Sequence, residues 1–281
     1  MSARFLDYCR AREIAAAAAV LSPYRTEAVT SDVGHFRAIG NPWSRALFDG
    51  DFYRASRKGD IPVTNLVFVE SRDGNTGADD PSTLGGGATD HHLIYEGLSR
   101  VDADAVLAGA TTAASDDLVF SIWHPQMVAL RLAYGHARHP AQVVVCGRRS
   151  PRLETALMFQ VPELRVFLLT ASDRVASLSR RAAGRPWITV VDGGQPLSMR
   201  AALRALQAHG IGTVSAVGGR TTARALLRED VIDDLYLTTS PMPGGEPNTP
   251  LFDAPITAPI VLVKQGTGAE EGVRFVHYSM G

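Results

Sequence analysis

Cysteine is nearly absent from this 281-residue chain. Cys9 and Cys146 are the two present, which excludes a disulfide framework or a cysteine-rich zinc site. Both read as reduced and buried. An excess of either charge is also lacking: the formal net charge of -1 at pH 7 argues against a broad nucleic-acid or membrane-surface footprint. No apolar run is long enough to span a bilayer; the longest near the N-terminus, Ile14 to Leu21, is mostly alanine. It follows Arg10, Arg12 and Glu13 with no secretory cleavage pattern after it, so a cytoplasmic location is expected. G-x-S-x-G, G-x-x-x-x-G-K-[ST] and G-x-G-x-x-G are all missing, which leaves serine-hydrolase, P-loop and Rossmann readings without their signatures. There is no internal repeat or low-complexity tract.

A hydrophobic fraction of 45% and a charged fraction of 20% are those of a soluble globular protein, built as one large domain or one domain with an appendage. The most informative stretch is Ser215 to Leu227. Gly212 to Val217 is short, apolar and β-rich, as a buried strand should be. Ala223, Leu226 and Leu227 begin a helical face, and between lie Gly218, Gly219, Arg220, Thr221 and Thr222. A strand that turns through glycines into a helix leaves backbone N–H groups open to a phosphate, favoured by the helix dipole. The plainer alternative is a tight turn capped by threonine.

Residues 2–21 pattern as a helix, and 22–59 are broken by Pro23, Gly34, Gly40, Pro42, Gly50 and Gly59. Trp43, Phe48, Phe52 and Tyr53 give that segment something to pack, so residues 1–60 read as an arm or lid on a main domain or on a partner subunit. From Ile61 onward, strands at 63–71, 105–107, 143–146, 166–170, 188–191 and 212–217 alternate with helices near 90–101, 198–209 and 222–228. Strands near 235–239, 260–264 and 273–278 end the chain, with a Pro/Gly-rich loop at 241–250. The fold class is α/β: a mostly parallel central sheet flanked by helices, with an antiparallel C-terminal edge.

Several stretches in this order resemble the reductase domain of bacterial riboflavin biosynthesis, in the dihydrofolate-reductase-like superfamily. They are Ser71-Arg-Asp-Gly74, Arg100 before Asp104-Ala-Val-Leu107, Gly109 to Asp117, Val217 to Thr222, and Val231-Ile-Asp-Asp-Leu-Tyr236 leading to Ser240-Pro241. The likeness runs from about Ile61 to the C-terminus.

The resemblance implies NADPH across the strand ends, with its pyrophosphate on Gly218, Gly219, Arg220, Thr221 and Thr222. It implies Thr112 and Asp116 beside the nicotinamide, with Asp116 as the catalytic carboxylate. It places Arg148, Arg149 and Ser150 near the adenine ribose, where two arginines suit a 2′-phosphate, though a solvated turn is the plain alternative. Ser71, Asp73 and Arg100 fall on the substrate side, and Arg100 would hold an anionic group. A small-molecule substrate and a homodimer formed through the sheet edge are implied as well.

Departures from the family are specific. Its substrate-contacting glutamate is Val217 here, its first-strand lysine is absent near Val67, and its tryptophan loop is replaced around Leu84 to Thr89. A site that loses buried charged partners recognises something different. The expected activity is therefore NADPH-dependent hydride transfer to an imine or ribose carbon of a pyrimidine-type substrate. The alternatives are the same chemistry on another heterocycle or imine, and a non-catalytic NADPH-binding module. The deaminase signature that accompanies the reductase in many members is missing.

Other candidates are weaker. His91-His92 and His136-x-x-His139 have no carboxylate or cysteine at ligand spacing, so no metal is expected there and they read as helix-start and loop residues. Asp79-Asp80 reads as an exposed acidic turn, and Trp123 and Trp187 as core or interface residues.

Overall fold

The structure is a computed structural model that describes residues 2–30, 32–56, 59–78, 81–147 and 149–281. Arg148 and the Asp79-Asp80 pair therefore lie outside the described residues. In chain order, α1 (Ala3–Ala18), β1 (Tyr24–Val29), β2 (Phe36–Ile39), α2 (Pro42–Phe48) and β3 (Phe52–Ala55) precede β4 (Val63–Glu70). A single turn, α3 (Gly87–Thr89), widens into a π-helix (Asp90–Leu98), followed by β5 (Ala105–Gly109), α4 (Pro125–Ala133) and β6 (Ala141–Val145). Then come β7 (Val166–Thr170), α5 (Ser172–Ala182), β8 (Ile188–Asp192), α6 (Met199–Ala208), β9 (Thr213–Ala216) and α7 (Arg220–Arg228). The last strands are β10 (Asp234–Thr239), β11 (Ile260–Gly266) and β12 (Arg274–Ser279).

Ten strands form one sheet in the order β1-β11-β12-β10-β4-β9-β5-β6-β7-β8. From β10 to β8 every pair is parallel, while β12, β11 and β1 add an antiparallel edge. That is the expected architecture. Every residue of β5, β6 and β7 is buried, as parallel strands covered on both faces require. One face packs on α6 and α7 through Leu203, Leu206, Ala223 and Leu226. The other carries the π-helix, α4, α1 and the 153–164 segment. No helix among the described residues is long and apolar enough to cross a membrane. Cys146 is buried, but Cys9 is only half-buried on α1, because the helix rests on the domain along a narrow line through Phe5 and Ala16.

Residues 1–60 join this core directly. β1 pairs with β11, and buried Lys264 of β11 donates to Thr26 Oγ1 at 2.6 Å and to the Asp49 carbonyl at 2.8 Å across the Phe48 ring. The β2–β3 hairpin is anchored by charge. Arg54 and Arg37 reach the buried Asp102 carboxylate at 2.8 and 3.2 Å. His136 bridges Asp102 (3.2 Å) and Asp104 (3.4 Å), whose other oxygen accepts from the Gly212 N–H. His136 is thus a half-buried tie rather than the solvated loop residue expected. His139 is not solvated either: it contacts Ser121 Oγ at 2.7 Å, and burial pushes its imidazole down to about 4.

Bonds to Asp102 and Asp104 raise His136 to about 9. A folded value above the unfolded one means stabilisation that is complete below about pH 6.5 and lost as pH rises through the folded value. Chemical denaturation from about pH 6 to about pH 10 is expected to reveal a loss on the order of 2 kcal/mol, after discounting for partial exposure. His136→Gln should flatten that slope. An unchanged slope in the variant would assign it to other groups.

Candidate functional site

A parallel sheet sends the ends of its strands, and the starts of the helices that follow, to one edge. Here the chain leaves β9 through Val217 into Gly218 and Gly219, with φ +131° and +78°, and α7 begins at once. The N-cap residue of α7 is Gly219, not a threonine, and no side-chain cap bond is seen among the described residues, which leaves the N–H groups of the first turn without intrahelical acceptors. Thr112 and Thr222 close around the turn. A Cβ added to Gly219 would stand 3.1 Å from Thr112 Oγ1, and one added to Gly109 would stand 2.6 Å from Thr222 Oγ1. Gly109, Thr112, Gly219 and Thr222 therefore form one cradle, roomy only because two of its members lack side chains. Arg220 is half-buried beside it and Thr221 is exposed. Open amides, a helix start and small hydroxyls fit a phosphate group.

Along the same edge, Arg149 and Ser150 are exposed on the turn after β6. Arg174 of α5 joins them, donating to the Cys146 carbonyl (3.1 Å) and to Ser150 Oγ (2.9 Å). The sequence reading passed over this arginine because α5 is mostly polar, with only Leu178 and Ala182 buried. Asp116 lies on the exposed loop after β5, its side chain 50% exposed. Its carboxylate is bound by Arg152 Nη1 at 3.2 Å and Thr155 Oγ1 at 3.1 Å. Those bonds turn it toward the 152–155 segment.

On the other side of the glycine turn, the Ser71 hydroxyl donates to the Gly244 carbonyl at 2.8 Å and so ties down the 241–250 loop. Asp73 is exposed in the adjoining turn. Arg100 is not brought to this edge. The π-helix starts where Asp90 meets Thr238 near the end of β10 and finishes where Ser99 meets Asn65 near the start of β4. Arg100 thus sits at the opposite edge, 1% exposed, bonded to the Ser121 carbonyl and stacked on Tyr95. A buried guanidinium there braces the fold.

The sequence reading missed Asp90. It sits at a helix start, where aspartate ordinarily caps in solvent, yet here it is buried. Thr238 Oγ1 donates to its carboxylate at 2.5 Å, and burial raises the carboxyl to about 7. A Cβ on Gly86 would come within 2.7 Å of its second oxygen, so glycine keeps that side clear. Leu66 pairs with Ala216 and Val69 with Thr238, which sets Gly218 level with Phe68 and next to Thr238 in height. The two lie two strand spacings apart, roughly 10 Å. A buried carboxyl of raised pKa and the glycine–threonine cradle thus share one edge. Val67 and Val217, where the resemblance implied charged residues, are 5% and 3% exposed.

His91 and His92 also depart from expectation. Their rings converge on the buried Glu96 carboxylate, at 3.3 and 3.5 Å, so a carboxylate does stand at ligand distance.

Residues 63–264 match the family model described as the RibD C-terminal domain. No protein of curated function is similar at a significant level. Among solved structures, a pyrimidine reductase-like protein from Corynebacterium diphtheriae superposes with a TM-score of 0.62 at 20% identity, over 78% of this chain and 92% of that one. The riboflavin biosynthesis reductase Rib7 of Saccharomyces cerevisiae gives 0.53 at 14% identity, over 80% and 93%. RibD of Acinetobacter baumannii gives 0.56 at 18% identity, over 79% of this chain but only 58% of that one. At these identities the likeness is one of fold.

The strained turn is testable without a ligand. Gly219→Ala places a Cβ at positive φ against Thr112, and equilibrium unfolding is expected to show a loss of about 1–2 kcal/mol. Stability equal to the parent would mean that the turn does not need its glycine.

Proposed function

The chain belongs to the RibD C-terminal domain family, and from that premise we propose that it is an NADPH-dependent reductase of a cyclic or ring-opened imine. The observation that carries this reading is the uncapped start of α7 at Gly218 and Gly219, closed in by Thr112 and Thr222. The amides of residues 219–222 would hold the pyrophosphate, with the two threonine hydroxyls as donors. Arg149 and Arg174 would set the preference for a 2′-phosphate as a charged pair at the ribose end. NADPH, when bound, supplies the hydride.

The protein's own chemistry is positioning and one proton. Reducing a C=N bond adds hydride to carbon and a proton to nitrogen. Asp90, buried against Thr238 on the substrate side of the glycine turn, is the group placed to hold that proton. Asp116, already engaged by Arg152 and Thr155, would shape the cofactor loop. Ser71 and the 241–250 loop it anchors would close the substrate side and exclude water.

The pyrimidine-type substrate of the family is the first candidate. The apolar Val67 and Val217 favour the second reading, the same reduction on a less polar heterocycle or imine.

Calorimetric titration with NADPH and NADH tests the cofactor half. The parent should prefer NADPH, Gly219→Asp should lose at least about 100-fold in affinity, and the double variant Arg149→Ala/Arg174→Ala should bind both nucleotides alike. No binding of either nucleotide by the parent would sink the reductase reading. Asp90→Asn should keep its NADPH affinity yet lose about 100-fold or more in turnover of any imine found by screening. Binding without turnover of any substrate would leave an NADPH-binding module.

A further inference from the structure

Glu96 stands on the π-helix with its side chain 7% exposed, and its two oxygens have different surroundings. Oε1 accepts from Arg12 Nη2 of α1 at 2.5 Å. Oε2 is closed off from solvent and has no hydrogen-bond partner among the described residues, and the same is true of His92 Nδ1. Those two atoms are 3.5 Å apart, and His91 Nε2 approaches the same oxygen at 3.3 Å. One ligand atom from each of His91, His92 and Glu96 lies within 4.8 Å of the other two. These contacts have ion-pair distances without aligned hydrogen bonds, so the desolvation of the buried nitrogen and oxygen is only partly offset.

The helix type explains the convergence. In an α-helix, five residues make about 1.4 turns, so His91 and Glu96 would point to different sides. A π-helix bonds i to i+5, which brings residue 91 over residue 96 while residue 92, four positions away, stays beside it. Both imidazoles then straddle one carboxylate oxygen.

We propose that His91 Nε2, His92 Nδ1 and Glu96 Oε2 bind a divalent metal ion of the zinc class, with Arg12 holding the second carboxylate oxygen. Ligand atoms on tetrahedral bonds of about 2.0–2.2 Å stand roughly 3.3–3.5 Å apart, which is the spacing of both imidazole nitrogens from Oε2. Two imidazoles and one carboxylate suit zinc, cobalt or nickel, whereas magnesium and calcium prefer all-oxygen sets. His91, 34% exposed, leaves the fourth position open to water. The Arg12 charge opposes the ion, so micromolar affinity is expected rather than the nanomolar affinity of a closed site. The ion would clamp the start of the π-helix, and α1 through Arg12, onto the domain. This site is separate from the nucleotide cradle and does not rest on the proposed reductase activity.

The test uses the full chain, stripped with a chelator and titrated with Zn²⁺ by calorimetry and with Co²⁺ by visible absorption. The expected result is one equivalent at micromolar affinity, intense four-coordinate Co²⁺ bands, and a melting temperature that rises with added Zn²⁺. His91→Ala, at the exposed ligand, and His92→Ala should each weaken binding at least tenfold while the circular dichroism spectrum stays that of the parent. Glu96→Gln should abolish the Co²⁺ bands. Failure to bind one equivalent below millimolar Zn²⁺, or binding undiminished in both histidine variants, would overturn the proposal.

Discussion

The polarity of the parallel sheet governs this molecule. Seven strands, β10, β4, β9, β5, β6, β7 and β8, run the same way. The loop leaving each strand therefore lands on one edge of the sheet, and the loop entering it lands on the other. Thr112, Arg149, Arg174 and Gly219 are far apart in the chain and gather at one edge for that reason. The same rule removes Arg100 from the site. It precedes β5 by a few residues, and the helix before it has already carried the chain back to the opposite edge.

The two edges treat charge in opposite ways. At the strand starts, Asp102 meets two guanidiniums and an imidazole, and against the pull of burial these hold its carboxyl below the ordinary range. Such a charge is balanced, and it serves to hold the β2–β3 hairpin. At the strand ends, Asp90 has a hydroxyl for its close partner, and burial lifts its carboxyl to about 7. The start of α7 at Gly219 has no side-chain cap among the described residues. Groups left uncompensated in this way are what a ligand completes.

Much of this was legible in the sequence, and the reasons differ by element. Strands β5 to β7 are buried on both faces, so apart from Gln142 of β6 and Thr170 of β7 they are unbroken apolar or glycine runs, which makes their identity plain. The glycine turn at 218–219 announces itself because its backbone angles exclude most side chains. Helix α5 was missed because most of its residues are polar, which masked its apolar face, and Arg174 went with it. The ties of the N-terminal segment left no local signal because they are long-range: β1 pairs with β11, Arg54 with Asp102, Arg12 with Glu96. No local pattern records partners that distant. Asp90 was hidden differently, since a helix-start aspartate looks the same in sequence whether solvated or buried.

The π-helix shows how much a departure from regular geometry can conceal. Counted as an α-helix, residues 90–98 offer two histidines that cannot share a carboxylate, and the sequence reading found none. Winding one residue wider per bond brings Glu96 beneath both. Gly97 permits this: its backbone leaves the helical region at φ -114° and ψ -105°, and a Cβ there would stand 2.7 Å from the His92 carbonyl. With any side chain at 97 the segment would have to shift, and Glu96, its immediate neighbour, would shift with it. A single glycine thus sets the winding that brings His91, His92 and Glu96 together.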